Sequence, residues 1–194
     1  ILRLFRQRLP HSHPYGPLHL TFDSERIDRL SAVVRNPHML DCHRAGLLDE
    51  PIVFHKEQAE VYRLLVDGQS VILSAPTSFG KSKVIDAVVA SGKYNNIVVV
   101  VPTIALIDET RKRLTRFGDR YKIVSQVSQE PAERNIFVFT AERTIAYSKL
   151  PKVDFFVVDE FYKIGALEED PTRTAALNQA FIRLLKSGAS FYML

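Results

Sequence analysis

Cysteine is nearly missing from this chain. Cys42 is the only one, so no disulfide can close within it, and the expected setting is a reducing compartment, the cytoplasm, with the thiol serving as a small buried hydrophobe. Long apolar runs are missing too. Nothing approaches the roughly 20 consecutive apolar residues that would cross a bilayer, and no membrane association is expected. Ile1 to Arg8 alternate apolar with basic residues, but no apolar h-region or small-residue cleavage site follows, which argues against a signal peptide. No zinc-ligand spacing surrounds His38, Cys42 and His43. There is no internal repeat and no low-complexity segment. Met is missing from position 1, and residues 190–194 read as a strand with no loop after it, so the chain is expected to have been cut from a longer one.

What is present is ordinary in amount and ordered in sequence. A length of 194 residues suits one main domain with a small appendage. Hydrophobic residues at 46% and charged residues at 25% are values of a globular chain rather than a disordered one. The net charge of +4 is compatible with a polyanionic partner and does not by itself establish one.

The first 46 residues differ in texture from the rest, with Pro10, Pro14, Gly16 and Pro17 breaking the chain early. They are expected to form a short, partly helical N-terminal extension, its helix over 23–35 closed by Asn36-Pro37, packed on a main domain over 47–194. Helical spacing resumes over 55–66, where Ala59, Tyr62, Leu65 and Val66 recur before the stop Asp67-Gly68. Short apolar runs follow at 71–73, 97–101, 136–139, 155–158 and 191–194, separated by helical segments. Among those, 106–117 places Leu106, Ile107, Leu114 and Phe117 opposite Arg111, Lys112, Arg113 and Arg116, and the last helix is expected over 172–186. Continuous apolar runs joined by helices predict a mainly parallel sheet covered on both faces, an α/β fold of three layers.

Between the first run and its helix stands Ser74, Ala75, Pro76, Thr77, Ser78, Phe79, Gly80, Lys81 and Ser82. Strand, loop and helix come in the order of a P-loop. Such a loop turns backbone N–H groups and a helix N-terminus toward phosphates, and glycine before lysine lets the chain come close. Lys81 would reach the terminal phosphates of ATP, and the Ser82 hydroxyl would hold Mg²⁺. Ala75 occupies the place of the usual first glycine. A chance Gly-Lys-Ser in an unrelated loop is the plain alternative, and the setting between a buried strand and a helix argues against it.

A second chemical signal lies about eighty residues on. The apolar run 153–158 leads directly into Asp159 and Glu160, carboxylates that are costly at the end of a buried strand unless they have work there. Ligands of open parallel sheets bind at the carboxyl edge, so the pair is expected to face the crevice of Lys81. Asp159 suits a carboxylate that holds Mg²⁺, and Glu160 suits the group that orients and deprotonates the attacking water. The alternative is a pair that merely caps a surface turn.

With these residues in order, the chain resembles the first RecA-like domain of superfamily 2 helicases, nearest the Ski-like DExH branch. The resemblance covers residues 47–194. The loop 74–82 looks like motif I of that branch, where alanine at the first position is usual. Val101, Pro102, Thr103, Ile104, Ala105, Leu106 and Ile107 are similar to motif Ia, and Thr140, Ala141, Glu142 and Arg143 to motif Ib. Both imply contacts with a nucleic-acid backbone, through Pro102, Thr103, Thr140 and Arg143. Asp159, Glu160, Phe161 and Tyr162 correspond to motif II, with Tyr162 where the branch often has histidine. Gln58 looks like the adenine-reading glutamine, with Phe54 stacking nearby; a solvated helix residue is the alternative for Gln58. The paired glycines often found between motifs Ia and Ib are absent from 121–130. The resemblance implies an ATP-dependent helicase, with DNA or RNA as partner and ATP and Mg²⁺ as cofactors. It also implies that hydrolysis needs an arginine from a second RecA-like domain, so that 47–194 alone is a nucleotide-binding half. Asp-Glu-Phe-Tyr is also similar to the helicase subunit of bacterial Hachiman-type anti-phage defence systems, which implies a defence partner protein. A nucleotide-gated P-loop scaffold, or a translocase subunit without unwinding activity, is the rival.

Overall fold

The computed structural model describes residues 18–21 and 41–43, both as backbone, together with 52–161 and 171–194. The expected helix over 23–35, His38 and Tyr162 lie outside these residues. The chain divides into two units, Ile1–Lys93 and Tyr94–Leu194. Among the described residues no helix is long and apolar enough to cross a membrane.

In the first unit, β1 (Leu18–Thr21) runs parallel to β4 (Val71–Ser74), pairing Leu18 with Val71 and Thr21 with Ser74. Part of the segment read as an extension is therefore a strand beside the one that feeds the loop. A four-residue run, Leu-His-Leu-Thr, carries too little alternation to declare itself. β2 (Asp41–His43) and β3 (Ile52–Phe54) form a small antiparallel ribbon that includes Cys42 and His43. α1 (Lys56–Val66) buries Ala59, Val61 and Leu65 and packs against α2 (Lys81–Ala90). Every residue of α2 from Val84 to Ala90 is buried, Asp86 among them, so the burial runs round the helix rather than along one stripe.

The second unit is a parallel sheet in the order β9-β8-β5-β7-β6. Its elements in chain order are β5 (Asn96–Val100), α3 (Ile104–Leu114), β6 (Lys122–Val124), β7 (Asn135–Phe139), α4 (Ala141–Ala146), β8 (Phe155–Val158), α5 (Pro171–Leu185) and β9 (Ser190–Met193). Four of the five strands coincide with the apolar runs, and all residues of β7 and β8 are buried. Burial on both faces is why these strands read as unbroken hydrophobic runs instead of alternating. Phe156, Phe181 and Phe191 cluster with centroids 5.5 to 6.5 Å apart, while Phe137, Phe139 and Tyr147 form a second cluster at 5.2 to 5.8 Å. Each buried phenylalanine is worth roughly 1.5–3 kcal/mol. The mainly parallel α/β architecture expected of a P-loop domain is present.

A polar lock holds the amino ends of these strands. The Asp154 carboxylate accepts from the backbone N–H groups of Asn95 and Asn96, both at 3.0 Å. Fully buried Asn135 donates to Asn96 Oδ1 and to the Ala132 carbonyl at 2.8 Å each, and accepts from Ala132 N at 2.7 Å. Tyr121 donates to the Tyr94 carbonyl at 2.7 Å with the Arg134 guanidinium above its ring. Fixing the strands at one end sets their register, and register decides which residues emerge together at the other.

Candidate nucleotide and nucleic-acid sites

In the first unit β4 ends at Ser74, and Pro76 leads into a 3-10 turn over Thr77–Phe79. Gly80 stands in the left-handed region, φ 75° and ψ 39°, and is at once the end of that turn and the cap of α2. The chain can reverse into the helix within one residue only because that residue lacks a Cβ. Lys81 and Ser82 then open the first turn of α2. Ser74, Ser78 and Ser82 are exposed; Ala75, Pro76 and Lys81 are half-buried; Phe79 is buried and anchors the loop. An ammonium, hydroxyls and the N–H groups of a helix start form a donor set suited to phosphate oxygens.

Gln58 is only 3% exposed, which removes the solvated alternative. Its Oε1 accepts from His55 N at 2.9 Å, and its Nε2 donates to the carbonyl of Phe79. A carboxamide has two acceptor and two donor positions, so each end keeps one beyond these bonds. The side chain ties the start of α1 to the phosphate loop, a connection that spacing along the chain does not reveal. The ring of Phe54 is fully buried and rests tilted on Tyr62, centroids 5.4 Å apart.

Gly80 is required twice over. A Cβ there would lie 2.7 Å from Gln58 Nε2, besides the strain of φ 75°. Gly80→Ala should therefore lower stability by at least the ~1–2 kcal/mol of a left-handed L-residue. Adding Gln58→Ala should relieve the collision but not the dihedral. Urea unfolding of both variants checks this: equal stabilities would mean that the contact with Gln58 contributes nothing.

In the second unit the strand ends emerge level. Val100 pairs with Phe139 on one side and Val158 on the other, and Val158 pairs with Met193. Ladder bonds continue past the strands, from Val101 N to the Phe139 carbonyl at 2.9 Å and from Asp159 N to the Val100 carbonyl at 3.0 Å. Pro102 with Thr103, Thr140, and Asp159 with Glu160 thus stand along one carboxyl edge. Thr103 caps α3, its Oγ1 accepting from Leu106 N at 3.3 Å, and its side chain is exposed. Thr140 caps α4 in the same way for Arg143 N at 3.5 Å, but it is buried. Arg143 is half-buried and donates from Nη1 to the Ser125 carbonyl at 2.7 Å, which commits part of its guanidinium to the loop after β6.

Asp159 and Glu160 form a tight local turn. Asp159 Oδ1 accepts from Glu160 N at 3.0 Å, and both residues are half-buried. Glu160 has φ 56°, and no other non-glycine among the described residues has a positive φ. A left-handed glutamate costs on the order of 1–3 kcal/mol and persists only where its surroundings hold it, a pattern concentrated at functional sites.

Sequence reasoning missed two arginines of this unit. Arg173 donates to the Pro102 carbonyl at 2.8 Å, and Arg183 donates to three carbonyls at the end of α4. Both sit on α5, where an arginine ordinarily reads as a solvated face.

The sequence pattern of the DEAD/DEAH box helicase family matches residues 55–186. Anti-bacteriophage protein B of Escherichia coli (strain K12) is 43% identical over 164 residues, 80% of this chain and 22% of that protein. Helicase POLQ-like of Caenorhabditis elegans is 28% identical over 144 residues, 64% of this chain and 15% of that protein. The chain thus spans about a fifth or less of the length of either relative.

Proposed function

Because the chain belongs to the DEAD/DEAH box helicase family, we propose that it is the ATP-binding half of a motor that couples ATP hydrolysis to movement on, or unwinding of, DNA or RNA. The observation that carries this reading is that the family match, 55–186, runs through both the phosphate loop and the acidic strand end. The subtype proposed is the first RecA-like domain of a superfamily 2, Ski-like DExH helicase, with 47–194 as that domain. Its place in the cell is the cytoplasm.

The loop from Ser74 through Ala75, Pro76, Thr77, Ser78, Phe79 and Gly80 to Ser82 cradles the phosphates through its N–H groups, and Lys81 neutralises the terminal ones. Gln58 reads the adenine edge with the carboxamide positions left over from its two bonds. Phe54 stacks nearby. Ser82 and Asp159 are the residues to hold Mg²⁺, which supplies charge neutralisation on the phosphates when bound. Glu160 accepts the proton of the attacking water, its left-handed backbone aiming the carboxylate. Thr103, Thr140 and Arg143, with the backbone at Pro102, bind the nucleic-acid backbone without reading sequence. A second RecA-like domain of the same full-length protein supplies the arginine that completes hydrolysis. The name of the 43% identical relative supports a role in defence against phage, with a defence-system protein as a further partner.

The deciding assay is ATP turnover by the full-length protein with RNA, single-stranded DNA and duplex DNA. At least one is expected to stimulate it. Arg143→Ala should weaken binding to all base sequences alike and reduce the magnitude of the salt slope by about 1, the share of one phosphate contact. Turnover indifferent to every nucleic acid would instead favour a nucleotide-gated scaffold.

A further inference from the structure

One helix reaches the loop before α3 and the far end of α4. Arg173, in the first turn of α5, donates from Nη2 to the Pro102 carbonyl at 2.8 Å, just before the Thr103 cap. Ten residues on, about 15 Å along the axis, Arg183 donates from Nη1 to the carbonyls of Thr144 at 2.8 Å and Ile145 at 2.6 Å, and from Nη2 to Tyr147 at 2.8 Å. Those carbonyls close α4, the helix that Thr140 opens and Arg143 occupies.

A helix of six residues is far below the length that is stable alone, and its last carbonyls have no partners within it. A guanidinium supplies several donors from one rigid plane, together with a positive charge at the negative end of the helix. Lysine has one compact ammonium and cannot span three carbonyls in the same way. Arg173 does for the loop before α3 what Arg183 does for α4. Both contacts come from one helix, so α5 braces the loop before α3 and the end of α4 on the frame that the β5–β7 ladder sets.

We propose that α5 is a strut that orients Thr103 and, through α4, Thr140 and Arg143 on the strand edge, with Arg173 and Arg183 as positioning residues for backbone binding; this rests on the assignment of Thr103, Thr140 and Arg143 to nucleic acid. Adjacent phosphates are regularly spaced along a strand, so groups that tilt out of line lose simultaneous contacts while each keeps its own chemistry. Coupling carried through contacts of this kind changes affinity by about 2- to 30-fold when broken.

The test uses the full-length protein, titrated with whichever RNA, single-stranded DNA or duplex DNA oligonucleotide stimulates its ATP turnover. Arg183→Gln and Arg173→Gln should each raise the concentration for half-maximal stimulation by about fivefold, with turnover at saturation within a factor of two and the salt slope unchanged. Arg183→Lys, which keeps the charge, should regain part of the loss. Where Arg183→Gln unfolds the protein, Arg173→Gln at the exposed start of α5 carries the test. A salt slope smaller by about 1 in Arg173→Gln would mean direct phosphate contact and would overturn its positioning role. Unchanged half-maximal concentrations in both variants, while Arg143→Ala and Thr103→Ala weaken binding, would overturn the strut alone. If Arg143→Ala and Thr103→Ala also bind normally, the loop assignment fails and the strut with it.

Discussion

Glu160→Gln in the full-length protein should bind ATP normally and turn it over about 10²- to 10⁴-fold more slowly, the range of a lost general base. Glutamine has the same shape and leaves the backbone bond from residue 160 N to Asp159 Oδ1 in place. It tolerates φ 56° no better than glutamate does, so the local strain is the same and the loss reports chemistry. What disappears is the carboxylate proposed to take the proton of water. A fluorescent ATP analogue measures the binding and phosphate release the turnover. Glu160→Gly supplies the converse. It should gain roughly 1 kcal/mol of stability by relieving the left-handed residue, and lose turnover at least as severely, the trade expected where strain serves function. Turnover by Glu160→Gln at the normal rate would remove Glu160 from the mechanism.

Lys81→Ala should abolish nucleotide binding in practice, lowering affinity by about 10²-fold or more, since deleting one partner of a charge-assisted contact costs roughly 2–5 kcal/mol. The stability of the unliganded protein separates this from a structural effect. Lys81 stands in the first turn of α2, where the helix dipole disfavours a cation and alanine is the best helix former. Without nucleotide, Lys81→Ala should therefore unfold at the same temperature or slightly higher. The rise in melting temperature that ATP and Mg²⁺ give the natural protein should be absent. A variant that loses stability without nucleotide, yet keeps the ATP-induced rise, would show that Lys81 supports the fold rather than the phosphates.

Much of the second unit was legible because its central strands are buried on both faces. Residues 136–139 and 155–158 cannot be written with polar residues, and the runs show. β6 was not legible. It ends the strand order, spans only Lys122–Val124 and goes from exposed to buried within three residues, too short for any period to emerge. α3 kept most of its expected face, with Ile107, Leu114 and Phe117 buried and Arg111, Lys112 and Arg116 exposed; Leu106 and Arg113 are both half-buried, and the last turn tightens into a 3-10 segment over Thr115–Phe117.

By itself, then, the sequence determined the parallel α/β plan, the phosphate loop and the acidic strand end, because these depend on contiguous residues whose local chemistry is readable: apolar runs, a glycine before a lysine, carboxylates after a strand. Only the tertiary structure decided that Gln58 is buried against the loop carbonyl of Phe79, that Phe54 is fully buried, that Glu160 is held left-handed, and that α5 holds the loop before α3 through Arg173 and the end of α4 through Arg183. Each of these depends on side chains or backbone far apart in the chain, or on a dihedral that composition does not express. Spacing says which residues share a face; only packing says what that face meets.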